Sequence, residues 1–317
     1  MSDGRLLHAV DPQLREAVEI GAPSAGPGAL AEETPLAELR AAYASERAYW
    51  NRPVPEVARV EETALDGPAG RFTLRLYHPQ PDAMLPALLY CHGGGWVVGS
   101  LDTHDRCMRK LALRSGRAVI GIDYHLAPEA KFPTQIEETV AACRALPALA
   151  ADWALRPEGV VLGGDSAGAQ MVLASALELR GEAAVSLGGL LLFYGAFGLR
   201  DSRSYRLFGS ERYGLSQRDM RFYREALVRD EADLCDPRID LVSADLSGLP
   251  PVYLAAAALD PLLDDSLVLT EQLAAGGAAP LLKVYRGMLH GFLHYSRSVA
   301  LAEQALDEAG AWLAGLP

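Results

Sequence analysis

Near-continuous apolar runs most constrain what this chain can fold into: AVIGID at 118–123, GVVLGG at 159–164, GLLLFY at 189–194 and PVYLAAAAL at 251–259. A strand with one wet face alternates apolar and polar residues, whereas a parallel strand covered on both faces does not. Between the runs lie segments with apolar residues spaced by three and four: 104–115, 133–150, 167–180, 264–276 and 298–313. Strand–helix alternation from about residue 87 onward predicts a doubly wound, mostly parallel α/β sheet flanked by helices. Strands are expected at 57–65, 72–78, 87–91, 118–123, 159–162, 187–194, 252–259 and 281–285, eight in all. The first two alternate, which suits an antiparallel edge pair.

Two stretches stand outside this alternation. Residues 1–45 read as amphipathic helices with Pro and Gly breaks, and residues 200–236 as a charged insertion carrying aromatic residues. The expected organisation is therefore a core of 46–199 and 237–317 with 1–45 and 200–236 set apart from it.

The 317 residues carry 41 acidic and 29 basic side chains, a net charge of −12. Such a surface repels phosphate backbones and anionic headgroups, which argues against nucleic acid or membrane as a partner. Cys91, Cys107, Cys143 and Cys235 form no CxxC pair, so they read as reduced thiols rather than zinc ligands or staples. No secretory pattern opens the sequence and no run of about 18 apolar residues occurs. The expectation is cytoplasmic residence.

After the run at 159–162 comes Gly163-Gly164-Asp165-Ser166-Ala167-Gly168, then a helical pattern. G-x-S-x-G between strand and helix places a serine on a strained turn, its oxygen lifted above the sheet near a helix N-terminus. Ser166 is the expected nucleophile. The run at 87–91 ends in His92-Gly93-Gly94-Gly95-Trp96. A glycine bend can bring backbone N–H groups onto the oxyanion of a tetrahedral intermediate. Gly93, Gly94 and Ala167 are the expected donors, with His92 and Gly95 supporting the loop. Neither G-x-G-x-x-G nor a GK[ST] ending is present, which argues against a phosphate cradle.

The order that goes with this serine turn is Ser, then Asp or Glu, then His. Asp260 ends the run at 251–259, with Asp264 and Asp265 as alternatives at the following helix start. His290 lies in the loop after 281–285, with His294 as its competitor. The imidazole would take the serine proton and the carboxylate would hold its tautomer. His8, His78, His104 and His125 are scattered without HExxH or paired spacing, so no metal is expected.

Together HGGGW at 92–96, DYHLAPE at 123–129, GDSAG at 164–168, DPL at 260–262 and HGF at 290–292 resemble the hormone-sensitive-lipase-like branch of bacterial esterases. The resemblance runs from about residue 40 to the end. GSLDTHDRCMRKLA at 99–112, LLFYGAFGLRDS at 191–202 and the segment 260–297 are similar to the enterobacterial acetyl esterases in particular. It implies an α/β-hydrolase fold under a helical cap built from the N-terminal helices and the insertion, acting on short acyl esters without a cofactor. It also implies two protein partners, a maltose-regulon activator and an α-galactosidase; a homodimer stays open. His125 stands where the family often has Arg, and Ala169-Gln170 where it has Gly-Asn. Asp123, Tyr124 and Glu129 are either braces of the glycine loop or ordinary turn residues. Amide, carbamate or deacetylation chemistry would use the same three groups. A regulatory protein on a dead hydrolase scaffold is the reading from another class, against which all three groups are present.

Overall fold

The computed structural model describes residues 9–21 and 34–317. Of the segment expected to cap the core, 1–8 and 22–33 lie outside the described residues. Helices α1 (Pro12–Gly21) and α2 (Leu36–Asn51) precede the sheet. α2 runs unbroken across residue 45.

The sheet strands are β1 (Arg59–Gly67), β2 (Gly70–His78), β3 (Leu85–Cys91), β4 (Ala118–Asp123), β5 (Leu155–Asp165), β6 (Leu187–Phe193), β7 (Val252–Ala257) and β8 (Leu281–Tyr285). They form one eight-stranded sheet in the order β1-β2-β4-β3-β5-β6-β7-β8. β2 runs antiparallel to β1 and β4, and every other neighbouring pair is parallel. The expected fold class stands.

Only β4 and β8 keep their expected bounds, and β5 and β7 show two causes of the differences. β5 starts at Leu155 rather than 159, because Leu155 pairs with Leu85 ahead of a register shift between Pro86 and Leu88. β7 stops at Ala257 rather than 259. There Ala258 donates to Tyr285 O and Leu259 to Met288 O, so the chain turns toward the loop that follows β8.

The unbroken apolar runs have the predicted cause. On β3, Leu89 and Cys91 pack into one core layer, while Leu88 and Tyr90 pack into the other, all at most 1% exposed. Leu162 and Val161 on β5, and Leu192 and Leu191 on β6, divide the same way. Each Leu or Val among them, fully buried, contributes about 1.5–3 kcal/mol. The layers are closed by α3 (Asp105–Ser115), α4 (Thr134–Leu149), α5 (Ala167–Glu178), α8 (Leu263–Ala275) and α9 (Ala300–Ala314). α3 ends where Gly116 turns left-handed (φ 69°) and its N–H returns to Ala112 O.

The insertion holds α6 (Arg203–Phe208), α7 (Gln217–Leu227) and short 3₁₀ turns. A capping box starts α7: Ser216 Oγ accepts from Asp219 N–H at 3.1 Å, and Asp219 Oδ2 accepts from Ser216 N–H at 2.8 Å. That fixes the helix that presents Tyr223 and Arg224 to the cavity described next. Among the described residues no helix is long and apolar enough to cross a membrane.

Candidate active site

Ser166 sits between β5 and α5 with φ 53° and ψ −118°, a conformation costly for a residue with a Cβ. The turn survives because its flanks are bare. A Cβ on Gly168 would lie 2.0 Å from Cys91 O, and one on Gly164 would lie 2.5 Å from the carbonyl carbon of Gly168. The Ser166 N–H donates to Phe193 O at 2.8 Å, pinning the turn to β6.

His290 Nε2 lies 2.8 Å from Ser166 Oγ, and His290 Nδ1 lies 2.8 Å from Asp260 Oδ2. The carboxylate can only accept, so Nδ1 carries the proton and Nε2 is left to receive the serine hydrogen. Asp260 is fully buried, and its second oxygen accepts from Leu262 N–H at 2.8 Å. Its reach to His290 follows from the tie between Leu259 N–H and Met288 O.

The alternatives are engaged elsewhere. Asp264 Oδ2 accepts from Ser204 N–H at 2.8 Å and so anchors the start of α6. Asp265 Oδ1 accepts from the N–H groups of Phe197, Gly198 and Leu199. Burial outweighs those bonds and pushes the Asp265 carboxyl up to about 7, aided by nearby Asp260. His294 is buried against His104, with ring centroids 4.6 Å apart. Burial first, then nearby Arg47 and the neighbouring His104, hold it far below the ordinary imidazole range.

The glycine bend corrects one expectation. Gly93 cannot offer its N–H to an oxyanion, because that N–H already donates to Asp165 Oδ1 at 3.0 Å. Gly94 (φ 123°) and Gly95 (φ 59°) face the cavity instead, and their N–H groups meet no acceptor among the described residues. Gly95, expected only to support the loop, thus has an open N–H on the cavity side, which Gly93 has not. Ala167, first residue of α5, also faces the cavity with an N–H that has no helical partner.

His92 supports this bend. Its Nδ1–H donates to Gly93 O at 2.8 Å, and its ring stacks on Tyr124 at 4.3 Å. Burial, then the neighbouring His104, pushes its imidazole down to about 3, so it stays neutral. Tyr124 OH donates to His92 O at 2.8 Å, so Tyr124 braces the loop. Glu129 acts at one remove: it pairs with Arg40 at 2.8 Å, and Arg40 donates to the carbonyls of Val97 and Ala127. Of the departures from the family pattern, His125 pairs with buried Glu138 at 2.6 Å. Gln170 accepts from Trp96 Nε1–H at 3.0 Å and donates to Arg238 O, tying the end of the glycine bend to the chain just beyond the insertion.

Several participants left no sequence signal. Asp165, next to the serine, accepts from Tyr90 OH at 2.9 Å as well as from Gly93, and its other oxygen lies 3.5 Å from His104 Nε2. Burial alone would raise the Asp165 carboxyl, but His104, Tyr90 and Gly93 together bring it below the usual value. Tyr194 stands edge-on to His290 at 5.1 Å. His104, Asp165 and His294 lie close enough to surround a metal ion, although distant in sequence. The Asp165 oxygens there already face Tyr90, Gly93 and His104.

A cavity of about 160 Å³ opens over Ser166 and His290, walled by α2, the glycine bend and the insertion. The whole arrangement can pass a proton from Ser166 to His290 and present N–H groups to a new oxyanion.

Residues 88–294 match a family described as having the alpha/beta hydrolase fold. Among solved structures, the chain is similar to a hyperthermophilic esterase from the archaeon Pyrobaculum calidifontis: 27% identity, 96% of this chain and 98% of that one covered, TM-score 0.91. It is 33% identical to an ester hydrolase from the metagenome of Lake Arreo, seen with a bipyridine phosphonate derivative (96% and 98% covered, TM-score 0.88). It is 29% identical to a thermostable carboxylesterase cloned from a metagenomic library (90% and 98% covered, TM-score 0.87).

Proposed function

The chain belongs to the alpha/beta hydrolase fold family as a carboxylesterase-type member, and on that footing we propose that it is a serine esterase for short acyl esters, of the acetyl esterase type. The observation that carries the reading is the relay Ser166 Oγ, His290, Asp260, with both links at 2.8 Å.

In this reading Ser166 Oγ attacks the ester carbonyl as its proton moves to His290 Nε2. Asp260 faces the imidazolium that forms. The carbonyl oxygen, now an oxyanion, takes the N–H groups of Gly94, Gly95 and Ala167. As the C–O bond breaks, His290 returns the proton to the leaving alcohol, and an acyl-Ser166 remains. Water then repeats the sequence: His290 accepts its proton, the acid departs and Ser166 regains its hydrogen. The small cavity favours a short acyl group.

A chain-length series of p-nitrophenyl esters tests this. Turnover is expected to peak at about two to six acyl carbons and to fall by ~10⁴-fold or more in Ser166→Ala, the scale of triad removals. A preference for long acyl chains would overturn the acetyl-esterase assignment, and a fully active Ser166→Ala would overturn the serine mechanism.

A further inference from the structure

The cavity wall is cationic in a protein whose net charge is −12. Three guanidiniums line it: Arg47 on α2, Arg200 at the start of the insertion and Arg224 on α7. Arg47 is only 4% exposed, and its Nε and Nη1 find no hydrogen-bond partner among the described residues. It pairs loosely with the adjacent Glu46 at 3.6 Å and lies over the rings of Tyr43 and Tyr295 at 5.0 and 5.6 Å, while Glu46 also takes a bond from Tyr295 OH. Arg200 donates to Leu234 O at 2.7 Å and meets no carboxylate among the described residues. Arg224 is half-buried and has no ion-pair partner among them.

The acidic side chains in the same wall do not answer these charges. Asp165 is held by Tyr90, Gly93 and His104. Asp265 turns one oxygen to three backbone N–H groups, and burial keeps much of it protonated near neutrality. The two idle N–H positions of this buried guanidinium can still take an acceptor, and its planar fork matches a carboxylate. The field of the wall would also draw anions into the cleft.

We propose that the Arg47–Arg200–Arg224 wall is an anion subsite, so that the preferred substrates are small esters bearing a second, ionised acid group. This rests on the esterase reading and names its substrate class.

Two pairs of esters place the charge on either side of the scissile bond: 4-nitrophenyl hydrogen adipate against 4-nitrophenyl hexanoate, and 4-acetoxybenzoate against its methyl ester. The charged member of at least one pair is expected to have about a tenfold or greater advantage in kcat/KM, mainly through KM, the size of one bond to a charged group. About 0.5 M salt and Arg224→Gln should each shrink that ratio, the first by screening and the second by removing a cation. Equal or better turnover of the neutral member in both pairs would overturn the subsite. If no member is hydrolysed, the esterase reading fails separately. The subsite then stands only if adipate raises the melting temperature of the unmodified protein more than that of Arg224→Gln, and falls if it does not.

Discussion

The Asp165 carboxylate holds the Gly93 N–H at 3.0 Å, so the first glycine of the triple-glycine bend is occupied before any substrate arrives. The residue beside the proposed nucleophile thereby positions the loop carrying the proposed oxyanion donors. Its other oxygen faces His104 at 3.5 Å, and both groups are buried.

Asp165→Asn should therefore be costly despite its near-identical shape. Removing the charge weakens the buried bonds that the carboxylate accepts from Tyr90 and Gly93, and a bond to a charged group is worth about 1.5–3 kcal/mol. Because the folded-state carboxyl is depressed, its contribution is present above the ordinary carboxylate range and is lost as pH falls through the folded value. Urea denaturation at neutral pH should show the loss, and the variant should show a shallower decline on acidification. Unchanged stability would remove Asp165 from its bracing role.

Asp265→Asn should behave in the opposite sense. The buried carboxyl moves from 3.8 to about 7 in the folded state, and its Oδ2 has no partner. Its contribution to stability is full below the unfolded value and is lost as pH rises through the folded one. Between about pH 5 and 8 the melting temperature of the unmodified protein should fall more than that of the variant. Parallel curves would contradict this.

The thiols provide a test of burial. Cys91, Cys107 and Cys143 are buried, and desolvation pushes each up to about 12, whereas Cys235 is exposed. Titration with a disulfide reagent should show one fast thiol in the native protein and four after unfolding. More than one fast thiol would mean that the core around β3, α3 and α4 opens readily.

The legible parts of the molecule are those written in local pattern. Unbroken runs announced two-sided strands, and Leu88 and Leu89 do pack into opposite layers. The chain order of Ser166, Asp260 and His290 pointed to groups that the structure brings within hydrogen-bond distance. What stayed hidden depends on direction and on distant partners. HGGG does not say which N–H faces the cavity, and that is decided by Asp165, on another strand. Arg47 sits in an ordinary helical pattern, and only the packing of α2 over the site leaves its N–H groups idle. His104, the residue before α3, meets Asp165 at the carboxyl end of β5, a contact no spacing rule encodes.

The central claim is that Ser166 is the nucleophile, and covalent labelling tests it most directly. A p-nitrophenyl alkylphosphonate should transfer its phosphonyl group to Ser166 Oγ with release of nitrophenolate. Mass spectrometry should then find one adduct per chain, on the peptide containing Ser166, in step with loss of esterase activity and absent from Ser166→Ala. An adduct at another residue that accounts for the lost activity, or full activity after complete labelling of Ser166, would contradict the account.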